Sequence, residues 1–222
     1  WDGLKLSNEV LGDWGEVISL SVGSTELFCH SNVKLETAAD FKGVKFRTMG
    51  PWGEILTTYY GASVVTITGG EIYEAADRGV IDAFEYCPAS INWPMGFHEV
   101  AKYIGIPGIH SPGAGSLVIV NRASWNALPD DLKSLLKDEF MTTAYQDLQL
   151  YMYEDSVAIQ NYKDYGIEFF TLSDEFQQDI TAKSKEFFMK EYVKDPEFKK
   201  LWDNLEEFVA TYREQDVVNP RV

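Results

Sequence analysis

Arg47 and Glu85 are the residues whose types and positions suggest chemistry. Arg47 closes the short run Val44-Lys45-Phe46, and Glu85-Tyr86 closes the run Val80-Ile81-Asp82-Ala83-Phe84. A guanidinium is a planar, permanently charged fork that grips a carboxylate with two parallel hydrogen bonds. A carboxylate beside an aromatic at the end of a nearby strand can orient that fork or share an anion's counter-charge. Ligands of open α/β sheets sit at the carboxyl ends of strands. The chemistry suggested is the non-covalent capture of a small organic acid.

The elements needed to position these groups are legible. Glu16–Gly23 alternates apolar and polar residues and reads as a strand, and Ser24–Glu36 reads as a polar loop. Thr37 with Asp40 three residues on suits a one-turn helix. Pro51 suits the start of a helix running to about Tyr60, and Ala62–Ile67 is a β-branched strand. Gly69-Gly70 opens a helix that Gly79 ends, and Val80–Tyr86 is a strand. This alternation predicts an α/β domain with a largely parallel sheet. Further on, Pro88–Tyr103 is helical in pieces, and strands are expected over 104–109 and 116–120. After Leu128-Pro129 no Gly or Pro interrupts the chain before Gly166, and apolar residues (Leu132, Leu135, Leu136, Phe140, Ala144, Leu148) recur at helical spacing. Such a helix is roughly 50 Å long. A strand over 167–172 and two helices, the first capped by Ser173 and the second started by Asp195-Pro196 and ending near Gln215, complete the reading.

The segments Phe41-Lys42-Gly43-Val44-Lys45-Phe46-Arg47, Gly69-Gly70-Glu71-Ile72-Tyr73 and Arg78-Gly79-Val80-Ile81-Asp82-Ala83-Phe84-Glu85-Tyr86 together resemble the solute-binding subunit of TRAP (tripartite ATP-independent periplasmic) transporters. The resemblance runs from about Ser19 to the C-terminal helices. It implies a periplasmic-binding-protein-like α/β fold of two domains, with hinge strands and a long spine helix. By the same comparison most of the N-terminal domain is not represented, and the first residue is Trp1 rather than Met. Residues 19–111 are then expected to form the main part of the second domain. Residues 112–150 would return a strand and the spine helix to the first, and 151–222 would return to the second. The function implied is capture of a small carboxylate in the periplasm for membrane permease subunits.

On this resemblance Arg47 is the carboxylate anchor. The branch that binds 2-oxo acids and lactate takes a metal ligand from a Glu side chain and another from the carbonyl of the following aromatic. That makes Glu85 and Tyr86 the metal candidates, with Tyr where that branch has Trp, and Na⁺ or Ca²⁺ the ion. A third polar ligand falls in the region of Glu26 or His30. No other cofactor is expected. Trp52, Asn92 and Phe97 are further ligand-binding candidates, with Trp93 beside them, and Asn121 either caps a turn or faces the ligand. Each of these is an ordinary packing residue when read alone. So is Glu85, whose plain role is an ion pair with Arg47.

Composition bounds the alternatives. The chain has 222 residues, 45% hydrophobic and 24% charged, with net charge −16 and a pI near 4.5. So acidic a surface repels phosphate backbones and anionic membranes, and no apolar run spans a bilayer. Enzyme signatures fail: His98-Glu99 is followed by Lys102 where H-E-x-x-H needs histidine, and Gly113-Ala114-Gly115-Ser116 is not a nucleophile elbow. The competing class is a periplasmic hydrolase or isomerase using Glu85 as base and Arg47 as anchor. Cys29 and Cys87 read as two small buried residues, with one disulfide as the alternative.

Overall fold

The structure, a computed structural model, describes residues 2–113 and 115–214. The chain divides into two compact units. The first holds residues 2–21, 115–145 and 186–214, and the second holds 22–113 and 146–185. The helix expected to end near Gln215 is described as far as Glu214, and the loop residue Ala114 lies outside the described residues.

In the first unit, α1 (Gly3–Leu11) leads into β1 (Gly15–Val22), which pairs with β7 (Gly115–Asn121) in a two-stranded sheet. Arg122, the first residue of α6 (Arg122–Asn126), staples the turn between α1 and β1. Its Nε donates to the Gly12 carbonyl at 3.0 Å, its Nη2 to the Gly15 carbonyl at 2.7 Å, and it pairs with Glu16. Asn121 caps α6, its Oδ1 accepting from the Ser124 N–H at 3.1 Å. The cap alternative for Asn121 is therefore the one realised. α9 (Pro196–Glu214) packs on α1, where Lys200 pairs with Glu9. Its start is fixed by Asp195, whose Oδ1 accepts from the N–H groups of Glu197 and Phe198. That packing puts residues 186–214 in the first unit, whereas the expectation returned all of 151–222 to the second.

The second unit carries a six-stranded sheet in the order β4-β3-β5-β2-β6-β8. β3 (Lys45–Arg47) runs parallel to β4 (Ser63–Val65) and to β5 (Ala83–Phe84). β6 (Tyr103–Ile106) runs parallel to β8 (Glu168–Thr171). Between β5 and β6 lies β2 (Cys29–Ser31), antiparallel to both. The loop expected over Ser24–Glu36 thus contains a central strand. Three residues, Cys-His-Ser, are too short and too polar to show a period of two. β5 is also shorter than the seven-residue run read from the sequence.

The helix signals hold. α2 (Gly50–Tyr60) has Pro51 in its first turn, and Gly61 ends it at φ 68°. Thr68 and Glu71 open the turn before α3 (Ile72–Asp77), the Glu71 carboxylate accepting from the Thr68 N–H at 2.9 Å and its hydroxyl at 2.7 Å. Burial of its phenylalanines stabilises the unit by roughly 1.5–3 kcal/mol each; Phe28 meets Phe41 and Phe176 edge-on, Phe41 packs at a tilt on Phe46 and Phe176, and Phe84 and Phe97 lie against Ile72 and Ile81. α7 (Asp130–Tyr165) runs 36 residues without a break, and the boundary between the units falls inside it. Its early apolar residues do not form a core stripe. Leu132, Leu135 and Met141 are exposed, and the buried residues of the helix are Ala158 and Tyr162. Among the described residues no helix is long and apolar enough to cross a membrane. Cys29 and Cys87 are both free thiols, so the disulfide alternative is not realised. Burial pushes their pKa values up, to about 12 and about 11.

Candidate functional site

Arg47 and Glu85 meet because their strands are neighbours in parallel register. Arg47 pairs with Phe84, so the next residue, Glu85, leaves β5 beside the end of β3, its N–H donating to the Arg47 carbonyl at 3.3 Å. The guanidinium is almost fully buried. Nη1 donates to the Glu85 carbonyl at 2.8 Å and to Glu85 Oε1 at 3.1 Å, and Nε donates to the Ile67 carbonyl at 3.2 Å. The side chains are 4% and 12% exposed, so this is an ion pair in low dielectric with its donors fixed by backbone. Among the described residues Nη2 has no hydrogen-bond partner, which leaves its N–H donors for an incoming anion.

The Tyr86 ring lies 5.8 Å from the guanidinium carbon and meets Phe97 edge-on at 5.8 Å. It needs Gly69: a Cβ there would sit 2.6 Å from the ring. Gly69 therefore makes room for the aromatic, which is a packing reason for the first of the two glycines that open the helix.

Two further groups complete the face. Glu26 and His110 stand with Glu85 so that one donor atom from each lies within 4.8 Å of the others. His110 Nε2 is 3.2 Å from Glu26 Oε2. The imidazole is held by stacking on Trp52 at 5.5 Å and by an edge contact with Phe28 at 5.8 Å. The segment bearing His110 comes this close because residue 108 is glycine. A Cβ on Gly108 would sit 1.9 Å from the Glu26 carbonyl oxygen. The Glu26 N–H donates to the Ser111 carbonyl, and the Thr25 hydroxyl to that of Pro112, which lock the two segments together.

Burial pushes the Glu85 carboxyl above the usual range, offset by the Arg47 charge and a hydrogen bond from Thr48. One carboxylate too many for one guanidinium is what the face presents with Glu26 and Glu85 together.

Of the expected site residues, Arg47, Glu85, Tyr86 and Trp52 come together. Asn92 and Phe97 lie beneath, fully buried. Asn92 Nδ2 donates to the Cys87 carbonyl at 2.6 Å and lies 3.2 Å from His30 Nε2, while Phe97 packs on Phe84. Trp93 stacks on His98 at 4.0 Å, away from this group. His30 is in the core and Glu26 is the loop residue that reaches the face. His110 and Thr48 were not singled out from the sequence. The signal for His110 was a glycine two residues earlier whose reason is a backbone crossing, and no local pattern announces that.

Residues 12–195 match the family described as bacterial extracellular solute-binding protein, family 7. The chain belongs to this TRAP solute-binding family. A monocarboxylate 2-oxoacid-binding periplasmic protein of Nostoc is 28% identical over 194 residues, which are 86% of this chain and 53% of that protein. A 2,3-diketo-L-gulonate-binding periplasmic protein of Escherichia coli is 24% identical over 180 residues, 80% and 54% of the two chains. This chain spans about half the length of these curated relatives. Among solved structures, a TRAP periplasmic solute-binding protein of Colwellia psychrerythraea with bound calcium and pyruvate matches with TM-score 0.86 and 25% identity. It is covered to 66%, and this chain to 98%. One of Pseudoalteromonas atlantica with bound sodium and pyruvate matches with TM-score 0.84 and 25% identity, covering 97% of this chain and 66% of that one. The α/β fold is that of TRAP solute-binding proteins.

Proposed function

We propose that this protein is a periplasmic receptor that captures a small carboxylate, of the 2-oxo or 2-hydroxy acid class, for TRAP permease subunits. The observation that carries the reading is the buried Arg47 with its Nη2 unpartnered, held in place by Glu85 at the end of the adjacent strand. The ligand's carboxylate takes the Nη2 donors. Glu85 and the backbone carbonyls of Ile67 and Glu85 keep the guanidinium from rotating away, so little orientation is lost on binding. Tyr86 and Trp52 supply apolar walls that suit a short, partly apolar acid over a polyhydroxylated one. The relatives that carry 2-oxo acids and pyruvate in their descriptions support the substrate class.

The donor set fits a bridging cation. Glu85, with the Tyr86 carbonyl, would hold it, and Glu26 would stand opposite; when bound it supplies the positive charge that a second carboxylate in this low dielectric requires. Neighbouring structures described with calcium or sodium beside pyruvate support this.

Glu85's raised pKa gives an enzymatic reading its one foothold, as a general base beside an anchored acid. The test is calorimetric titration of the protein with pyruvate, with the acid assayed by mass spectrometry afterwards. Stoichiometric binding with unchanged pyruvate is the expected result, and turnover would defeat the receptor reading. Arg47→Lys keeps the charge and loses the fork, so affinity should fall about 10- to 100-fold, the worth of one to two kcal/mol-scale charged hydrogen bonds. Unchanged affinity in that variant removes Arg47 as the anchor.

A further inference from the structure

We infer that Trp52 determines specificity on this face: its indole N–H donates to the 2-oxygen of the ligand, and so selects 2-oxo and 2-hydroxy acids over acids that lack that oxygen. The inference rests on the proposed carboxylate site and deepens it by giving the part of the ligand next to the carboxylate a named donor.

Three observations carry it. First, the donor is unspent. Trp52 Nε1 is shielded from solvent and, among the described residues, has no hydrogen-bond partner. A buried N–H left unpaired is destabilising, and a buried indole ordinarily finds an acceptor. A ring that served only as an apolar wall would do so better without the nitrogen. Second, the ring belongs to this face. It stacks on His110 at 5.5 Å with the two planes 25° apart, and meets Phe28 edge-on at 6.2 Å. His110 in turn stands with Glu26 and Glu85. Third, Trp52 and Arg47 are set by one short, fixed segment. Arg47 ends β3 and Trp52 lies in the first turn of α2. Between them the Thr48 N–H donates to the Val65 carbonyl at 3.3 Å, and Gly50 turns the chain at φ 61°.

The two unpartnered donors differ in kind. Arg47 Nη2 carries charge and suits the carboxylate. The indole N–H is neutral, single and a donor only, which suits a neutral oxygen with a free lone pair. The 2-oxygen of pyruvate or lactate is such an acceptor, on the carbon next to the carboxylate. Propionate has a methylene there and would leave the N–H buried and unpaired. A site built around a hydrogen bond rejects an analogue without the oxygen for that reason.

The experiment titrates the protein and Trp52→Phe with pyruvate, L-lactate and propionate by calorimetry, at one fixed CaCl₂ concentration. The parent should bind pyruvate and lactate about 10- to 100-fold more tightly than propionate, the effect of leaving one buried donor unpaired. Trp52→Phe keeps an aromatic ring and loses the N–H, so that preference should fall about tenfold while propionate affinity changes little. A second readout needs no variant: in ¹⁵N-labelled parent protein the Trp52 indole N–H resonance should move downfield with pyruvate and stay in place with propionate. Equal weakening of all three acids in Trp52→Phe makes the ring a wall only and overturns the inference. An indole resonance that bound pyruvate does not move overturns it too, and decides the matter if the variant misfolds. Both results leave the carboxylate reading standing. Failure of all three acids to bind the parent defeats that reading, and the inference with it.

Discussion

Two histidines of the second unit sit in opposite environments. His110 faces two carboxylates and lies near the surface of the sheet ends, held by Trp52. His30, on β2, is buried among aromatics: it stacks on Phe84 at 5.2 Å, meets Phe97 and Tyr162, and has Asn92 as its one polar neighbour. Burial, with a smaller push from His98, lowers the His30 pKa to about 3, so it is neutral at any ordinary pH. The same side chain is therefore a donor for chemistry in one place and a flat, stiff packing piece in the other. What differs is the charge opposite the ring, and the sequence around each histidine does not reveal that.

The largest expected effect comes from unbalancing the His110 side. Arg47→Met leaves Glu85 and Glu26 without a counter-ion in a buried face, and should cost about 3–5 kcal/mol in urea denaturation, as broken buried pairs do. A loss under 1 kcal/mol would mean the pair is solvated. Gly108→Ala comes next. Its Cβ would meet the Glu26 carbonyl, so the segment must shift, costing roughly 1–3 kcal/mol and abolishing cation and pyruvate binding. The environment of His30 should be untouched, which NMR of its ring protons would report. A change at both histidines would show that the two regions are one cooperative structure.

His30 sharpens the contrast through pH. Its folded pKa lies below the unfolded value of 6.5, so the unfolded chain binds the extra proton between about 6.5 and 3. Stability is present above 6.5 and is lost as pH falls through that window, at a slope of up to about 1.4 kcal/mol per unit. His30→Phe should flatten that acid limb, leaving Asn92 its bond to the Cys87 carbonyl. The smallest effect has the opposite sign. Glu85 has a raised folded pKa, so the folded chain holds the proton longer, and stability falls as pH rises from the ordinary carboxylate value through the folded one. Glu85→Gln, which also loses the charge opposite Arg47, should remove that decline, visible as a flatter dependence of stability on pH above the ordinary carboxylate range than in the parent.

Much of this architecture was written locally. Thr37 with Asp40, Thr68 with Glu71, Ser173 and Asp195 each cap the helix or turn they precede. These signals act within four residues, which is why the sequence shows them. The same holds for the unbroken α7. Arg47 and Glu85 were legible because two parallel strands end side by side, and the short connections between them impose that. What was hidden depends on distant partners. β2 is three polar residues made a strand by β5 and β6; Asn92 and Phe97 are buried by neighbours from other elements; the fate of the α7 apolar residues depends on what packs against them, and Glu186 onward follows α1. His110 reaches Glu26 across more than eighty residues through a backbone crossing at Gly108.

β2 has a last implication, for how the molecule comes into being. It is made before its neighbours yet occupies the middle of the sheet, and both of its hydrogen-bonded neighbours emerge from the ribosome more than fifty residues later. Assembly therefore cannot proceed strand by strand in the order of synthesis. Phe28 and its surroundings must wait, exposed, until Ile104 arrives, and such non-local pairing sets a slow pace for acquiring the native state.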